Sequence, residues 1–214
     1  VSGLDFHAMT DHSQTSADGF TRGLGPEVWD EYQATTDAHN SPGAFVALHA
    51  YETSFQSPYG HHNVYFRRHD QPVRRNPPSE APRSVETETE LTHISDVYHA
   101  YRNTDTIITP HVGGQHSDIQ FHDPSLEPAV EIVSSHGAFE WMLRDSIERG
   151  YHMGFLGGSD SYTGRPGDDR PGYQTRRYSK AGLTGIYTDD VTLDAFFEAM
   201  SGITTTGSTV VSGL

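Results

Sequence analysis

The chain of 214 residues is long enough for one α/β domain with a substantial core. Its 14 basic side chains against 29 acidic ones leave a net charge of −15, which argues against nucleic acid and anionic membrane as partners. Cysteine is absent, so disulfides and thiolate metal sites are excluded, and any metal must be held by His, Asp and Glu.

No apolar run approaches the ~20 residues of a membrane span, and no signal peptide is visible. Compartment and oligomeric state are not legible. The chain begins at Val1 inside what reads as the lead-in to a strand. The expectation is therefore a single domain over residues 1–214, truncated at the N-terminus, with truncation at the C-terminus left open.

The first strand runs from Leu4 and ends in Thr10, Asp11 and His12, followed by a Gly/Ser/Thr loop to Gly25. Pro26 and Glu27 then mark the first turn of a helix. Val28, Trp29, Tyr32 and Thr36 form its predicted buried side, and Ser41-Pro42-Gly43 ends it. Ala44 to Tyr51 reads as a second strand, ending at Glu52. His61 to Phe66 reads as a short strand with alternating apolar positions. Arg67 to Arg83 is Pro/Arg-rich and aperiodic, a surface excursion whose Arg67, Arg68, Arg74 and Arg75 read as solvated, with contact to an anionic substrate as the alternative.

Glu88 to Tyr101 has helical spacing at Leu91, Ile94, Val97, Tyr98 and Tyr101. A strand over Thr106 to Thr109 leads into Pro110-His111. Another spans Ala129 to Ser134 and ends near Ser135-His136-Gly137. Phe139 to Arg149 is a helix stopped by Gly150. His152 to Leu156 is a strand entering Gly157-Gly158-Ser159-Asp160. Leu183 to Tyr187 reads as a strand and Leu193 to Met200 as a helix. Strand–helix alternation predicts a parallel sheet, and polar residues ending several strands favour a barrel over an open sheet.

Those strand ends carry His12, Glu52, His61, His111 and Asp160, the candidate metal ligands. Imidazole with carboxylate suits Zn²⁺ or Mn²⁺, with Fe²⁺ possible. Such a site binds phosphate oxygens and provides an activated water at neutral pH. Glu52 and Asp160 are the candidate catalytic carboxylates. Arg165, on a Gly/Pro-shaped loop beside Asp160, is a candidate phosphate-binding fork, with a loop-ordering salt bridge as the alternative. Asp11 reads as a turn or supporting residue, and His7 as a packing histidine. His62 competes with His61 for the inward position, and His136 is placed at the pocket wall.

Leu4-Asp5-Phe6-His7-Ala8-Met9-Thr10-Asp11-His12 resembles the second motif of the PHP (polymerase and histidinol phosphatase) superfamily. Tyr51-Glu52, with Gly60-His61-His62-Asn63-Val64-Tyr65-Phe66, resembles the glutamate and following histidine motifs of one branch of it. Pro110-His111 looks like the later histidine motif. Val130-Glu131-Ile132, Ser135-His136-Gly137, Gly157-Gly158-Ser159-Asp160 and Thr163-Gly164-Arg165-Pro166-Gly167 look like its closing motifs.

The resemblance spans nearly the whole chain. It implies a distorted (β/α)7 TIM-like barrel lacking its first strand, and a metal-dependent phosphoesterase acting on a small phosphate ester. Carried over, Glu52 would bridge two metals, His61 and His111 would hold one, Asp160 another, and His12 a third. The superfamily's first His-x-His motif is absent from this chain, and Tyr162 stands where a histidine follows the Asp160 equivalent. Those departures support the alternative, a degenerate non-catalytic barrel serving as a structural or ligand-binding module of a longer protein.

Overall fold

The computed structural model describes residues 3–14, 23–55, 57–74, 91–113, 116–161 and 181–203. Its strands are β1 (Phe6–Ala8), β2 (Val46–Ser54), β3 (His61–Phe66), β4 (Thr106–His111), β5 (Ala129–Ser134), β6 (Gly137–Ala138) and β7 (Gly154–Gly157). Its helices are α1 (Pro26–His39), α2 (Ile94–Tyr101), α3 (Glu140–Glu148) and α4 (Leu193–Ile203). None is long and apolar enough to cross a membrane.

The strands form a four-stranded sheet ordered β1-β2-β3-β4 and a three-stranded sheet ordered β6-β5-β7. This overturns the expected distorted (β/α)7 barrel, because the described strands neither close nor run parallel throughout. Only β1–β2 and β5–β7 are parallel, whereas β2–β3, β3–β4 and β5–β6 are antiparallel. The physical reason lies in the connections. Residues 55–60 are too few for a crossover helix, so β3 must return antiparallel beside β2. Ser135 and His136 likewise turn the chain straight back into β6.

Other boundaries also move. Leu183–Tyr187 forms no strand; Leu183 and Tyr187 are 72% and 98% exposed. The helix expected from Glu88 begins at Ile94, where the His93 ring accepts the Ser95 backbone N–H; residues 75–90 lie outside the described set. Trp29 is buried as expected, but Val28, expected inside, is exposed, and Gln33, one turn after Trp29, is buried. The predicted first turn of α1 holds, with Pro26 at its start and Glu27 favourably placed against the helix dipole.

The alternation of β2, β3 and β4 sorts their side chains onto two faces. One face carries Tyr51, Val64, Phe66 and Ile108, packed with Trp29 of α1 and Val97, Tyr98 and Tyr101 of α2. Each fully buried aromatic there stabilises by roughly 2–3 kcal/mol relative to exposure. The opposite face is divided along its length. At one end Val46, Leu48 and Ile107 pack with Ala129 of β5 and Phe196, Phe197 and Met200 of α4. At the other end the same face carries Glu52, Ser54, His61, Asn63 and His111, all buried.

Candidate metal centre

Strand register assembles the polar end of that face. Ser54 lies opposite His61, and His61 lies opposite His111. Glu52 is two residues from Ser54 and so shares its face. His12 arrives from outside the named strands through an isolated parallel bridge to Glu52. Two backbone hydrogen bonds fix it there: Glu52 N–H donates to the Asp11 carbonyl (2.9 Å), and Ser13 N–H donates to the Glu52 carbonyl (2.7 Å).

Three imidazoles therefore converge on one carboxylate oxygen. Glu52 Oε1 lies 2.7 Å from His61 Nδ1, 3.3 Å from His12 Nδ1 and 3.8 Å from His111 Nε2. Ser54 donates its hydroxyl to the same oxygen at 2.6 Å and receives His12 Nδ1 at 2.8 Å. Glu52, His61 and His111 form a buried group whose ligand atoms all lie within 4.8 Å of one another, close enough to hold one metal ion.

The fit to a cation shows in the details. His61 Nδ1 is buried and, although 2.7 Å from Glu52 Oε1, is not aligned for a hydrogen bond to any partner. A pair of ligand atoms that close without a shared straight hydrogen bond suits a common third point. Gly113 keeps that point open, because a Cβ there would lie 2.1 Å from His61 Nδ1.

A metal requires neutral imidazoles and ionised carboxylates. Burial alone would raise the Glu52 carboxyl, but His111, His61 and His12 hold it well below its ordinary value. Burial lowers His111, outweighing the attraction of Glu52 and Asp160.

Asp160 follows β7. Its backbone is left-handed (φ 44°), sparsely populated for a non-glycine residue and often found at functional sites. Ser135 supports this turn: its N–H donates to the Ser159 carbonyl and its hydroxyl to the Asp160 carbonyl, both at 3.1 Å. Asp160 Oδ2 pairs with His136 Nε2 at 3.0 Å. Burial raises this carboxyl, yet the His136 hydrogen bond and the His111 charge bring it net below its ordinary value.

His62 faces away from Glu52. Its Nε2 lies 3.4 Å from the Tyr98 hydroxyl and 3.6 Å from Glu127 Oε1, and burial lowers its pKa to about 3. His7 lies within β1, half-buried, lowered by burial. Arg165 and Tyr162 lie outside the described residues.

Sequence reading passed over Ser54 and Gly113, and it noted Glu131 only inside the Val130-Glu131-Ile132 motif, without a place in the site. Ser54 was findable from its spacing to Glu52. Glu131 was signalled by a lone carboxylate inside an apolar strand run. It is buried, and desolvation, then the Asp160 and Glu52 charges, push its carboxyl well up. Gly158 makes room for it, since a Cβ there would sit 2.0 Å from Glu131 Oε2. Glu131 and Ser159, with His7 and Thr184, are polar lining residues of a cavity of about 200 Å³ that Leu48, Tyr65 and Phe196 also line.

A family model described as "Protein of unknown function (DUF3604)" matches residues 3–132. No curated protein matches the chain. Among solved structures, the chain is similar to a two-domain protein of Bacteroides vulgatus ATCC 8482, described as containing a predicted PHP-like metal-dependent phosphoesterase. The TM-score is 0.57 at 11% identity, over 94% of this chain and 55% of that one. At this identity the likeness is one of fold, and the chain spans about half that protein's length.

Proposed function

We propose that this chain, which belongs to the DUF3604 family, is a metal-dependent hydrolase of the PHP phosphoesterase type acting on a small phosphate ester. The observation that carries the reading is the convergence of His12, His61 and His111 on Glu52 Oε1. The fold likeness to a protein described as PHP-like and metal-dependent supports it.

In this reading Glu52, His61 and His111 hold a divalent cation, Zn²⁺ or Mn²⁺ by ligand type, with Fe²⁺ as the further option. His12 and Asp160 complete the metal-binding set. Such a cation supplies Lewis acidity and an activated water at neutral pH. The chain's own residues provide the rest. Glu52 contributes negative charge in a buried setting. Ser54 fixes that carboxylate by donating to it and ties it to His12. His136 orients Asp160 from behind. Arg165 is the proposed phosphate-binding fork.

The test is hydrolysis of an aryl phosphate by chelator-stripped protein with Zn²⁺ or Mn²⁺ restored. Turnover is expected only with metal, with Glu52→Gln reduced to background and Arg165→Ala raising KM. Turnover that survives complete metal removal overturns the reading. Metal binding without turnover on any phosphate ester favours a non-catalytic module, the role to which Tyr162 in place of a histidine points.

A further inference from the structure

We propose that Asp37, His49 and His69 form a second divalent-metal site, of the zinc class, on the opposite face of β2 from Glu52. Residues 49 and 52 differ in parity, so their side chains leave the strand on opposite sides, roughly 10 Å apart along it. The two sites share no ligand.

Three separate elements bring the ligands together. Asp37 stands in the last turn of α1, His49 within β2, and His69 in the turn after β3. The end of α1 is locked to β2 by Asn40, whose side-chain amide donates to the Ala47 carbonyl and accepts the Ala47 N–H, both at 2.9 Å. The turn is locked to α1 by Gln33, which is buried and accepts the Asp70 N–H at 3.0 Å. The carboxylate thus sits between two imidazoles. Asp37 Oδ1 lies 2.8 Å from His49 Nε2, and Asp37 Oδ2 lies 2.6 Å from His69 Nδ1. The ligand atoms of all three fall within 4.8 Å of one another.

The arrangement around His69 points to a cation. Its other nitrogen, Nε2, lies 3.1 Å from Asp70 Oδ1. A carboxylate behind the ring is the outer partner that orients a metal-ligating histidine. His69 Nδ1 hydrogen-bonds Asp37 Oδ2, and a divalent cation takes the place of the shared proton between such a pair.

His49 fits the metal. Its side chain is 4% exposed, and its Nε2 is aimed at Asp37 Oδ1 at 2.8 Å. Two nitrogens and one carboxylate oxygen, with water as the fourth ligand, is a zinc-type set. Tetrahedral coordination needs ligand atoms roughly 3.3 Å apart. The half-exposed His69 ring can make that adjustment. His49 Nδ1 is buried without a hydrogen-bond partner, so this ring lacks the outer anchor that strengthens metal sites. The site is therefore expected to be weaker than a fully supported one.

The test is zinc titration of the chelator-stripped protein by calorimetry, with metal content by mass spectrometry. Wild type, Asp37→Asn, His69→Ala, His111→Ala and, as an exposed-histidine control, His99→Ala are compared. Asp37→Asn and His69→Ala should each lose one zinc per chain and keep the zinc that His111→Ala loses, while His99→Ala keeps both. In His111→Ala, saturating zinc should still raise Tm by about 5–10 °C at a hundredfold excess over Kd. Unchanged zinc stoichiometry in His69→Ala and Asp37→Asn overturns the proposal and leaves His69 hydrogen-bonded to Asp37 beside Asp70. A zinc that survives in His111→Ala but not in His69→Ala upholds this site even if the Glu52 centre fails.

Discussion

Gly113 faces the His61 ring so closely that a methyl group on its Cα would lie 2.1 Å from Nδ1 and 2.8 Å from Cε1. Those atoms belong to a rigid ring held in a buried row, not to the tip of a flexible side chain. Gly113→Ala must therefore rotate His61 away from Glu52 or shift the backbone after β4. The expected cost is about 1–3 kcal/mol of stability from overpacking. Zinc affinity should fall at least about tenfold, because a ligand displaced by an ångström no longer meets its partners. Urea unfolding and calorimetric titration read the two effects. Wild-type zinc affinity in both Gly113→Ala and His61→Ala would show that His61 is not a ligand.

Behind His62 lies a buried carboxylate that the metal centre does not use. Tyr98 donates to Glu127 Oε1 at 2.6 Å, and His122 Nδ1 lies 2.9 Å from Glu127 Oε2. Burial raises the Glu127 carboxyl despite these partners. Tyr98→Phe keeps the ring in its pocket and removes one donor. It should cost about 1–3 kcal/mol, the penalty for an under-satisfied buried acceptor, and leave zinc stoichiometry unchanged. A neutral result in urea unfolding would mean that water or a rearranged His122 replaces the hydroxyl.

Asp123 gives a pH dependence with a definite sign. Burial pushes its carboxyl up, but hydrogen bonds from Arg102 (2.5 Å) and from the Ser125 hydroxyl and N–H leave it net below its ordinary value. A depressed folded pKa contributes stability that is present above the unfolded value. It is lost as pH falls through the folded one. Arg102 is half exposed, so screening limits the pair to about 1–2 kcal/mol. Stability measured from pH 6 down to pH 2.5 should fall less steeply in Asp123→Asn than in wild type. Parallel curves would remove Asp123 from the account.

Residue types and strand runs were legible before any coordinates. The apolar run after Phe45, the alternation from His61 to Phe66 and the polar residues at strand ends identified the pieces of the Glu52 site. Boundaries were harder. Residues 183–187 carry strand-forming side chains, but the Thr184 hydroxyl rather than a backbone ladder bonds Gly157 of β7, and strand propensity without backbone pairing does not make a strand. Val28 has the right character for burial yet points outward, because α1 packs along the line of Trp29 and Gln33.

By itself the sequence determined that any metal here meets only imidazole and carboxylate. It also determined that strands and helices interleave, and that His61 and His62 must face opposite ways, since side-chain period in a strand is two. It did not determine which of the pair faces Glu52, because that depends on pairing register, a contact between segments distant in the chain. The tertiary structure decided that register, the antiparallel return of β3 and the absence of barrel closure among the described strands. It also decided the meeting of Asp37, His49 and His69, residues 12 and 20 positions apart. Local patterns encode which face a residue shares with its near neighbours. Which distant groups that face meets is set by packing and loop length, and no spacing in the chain records it.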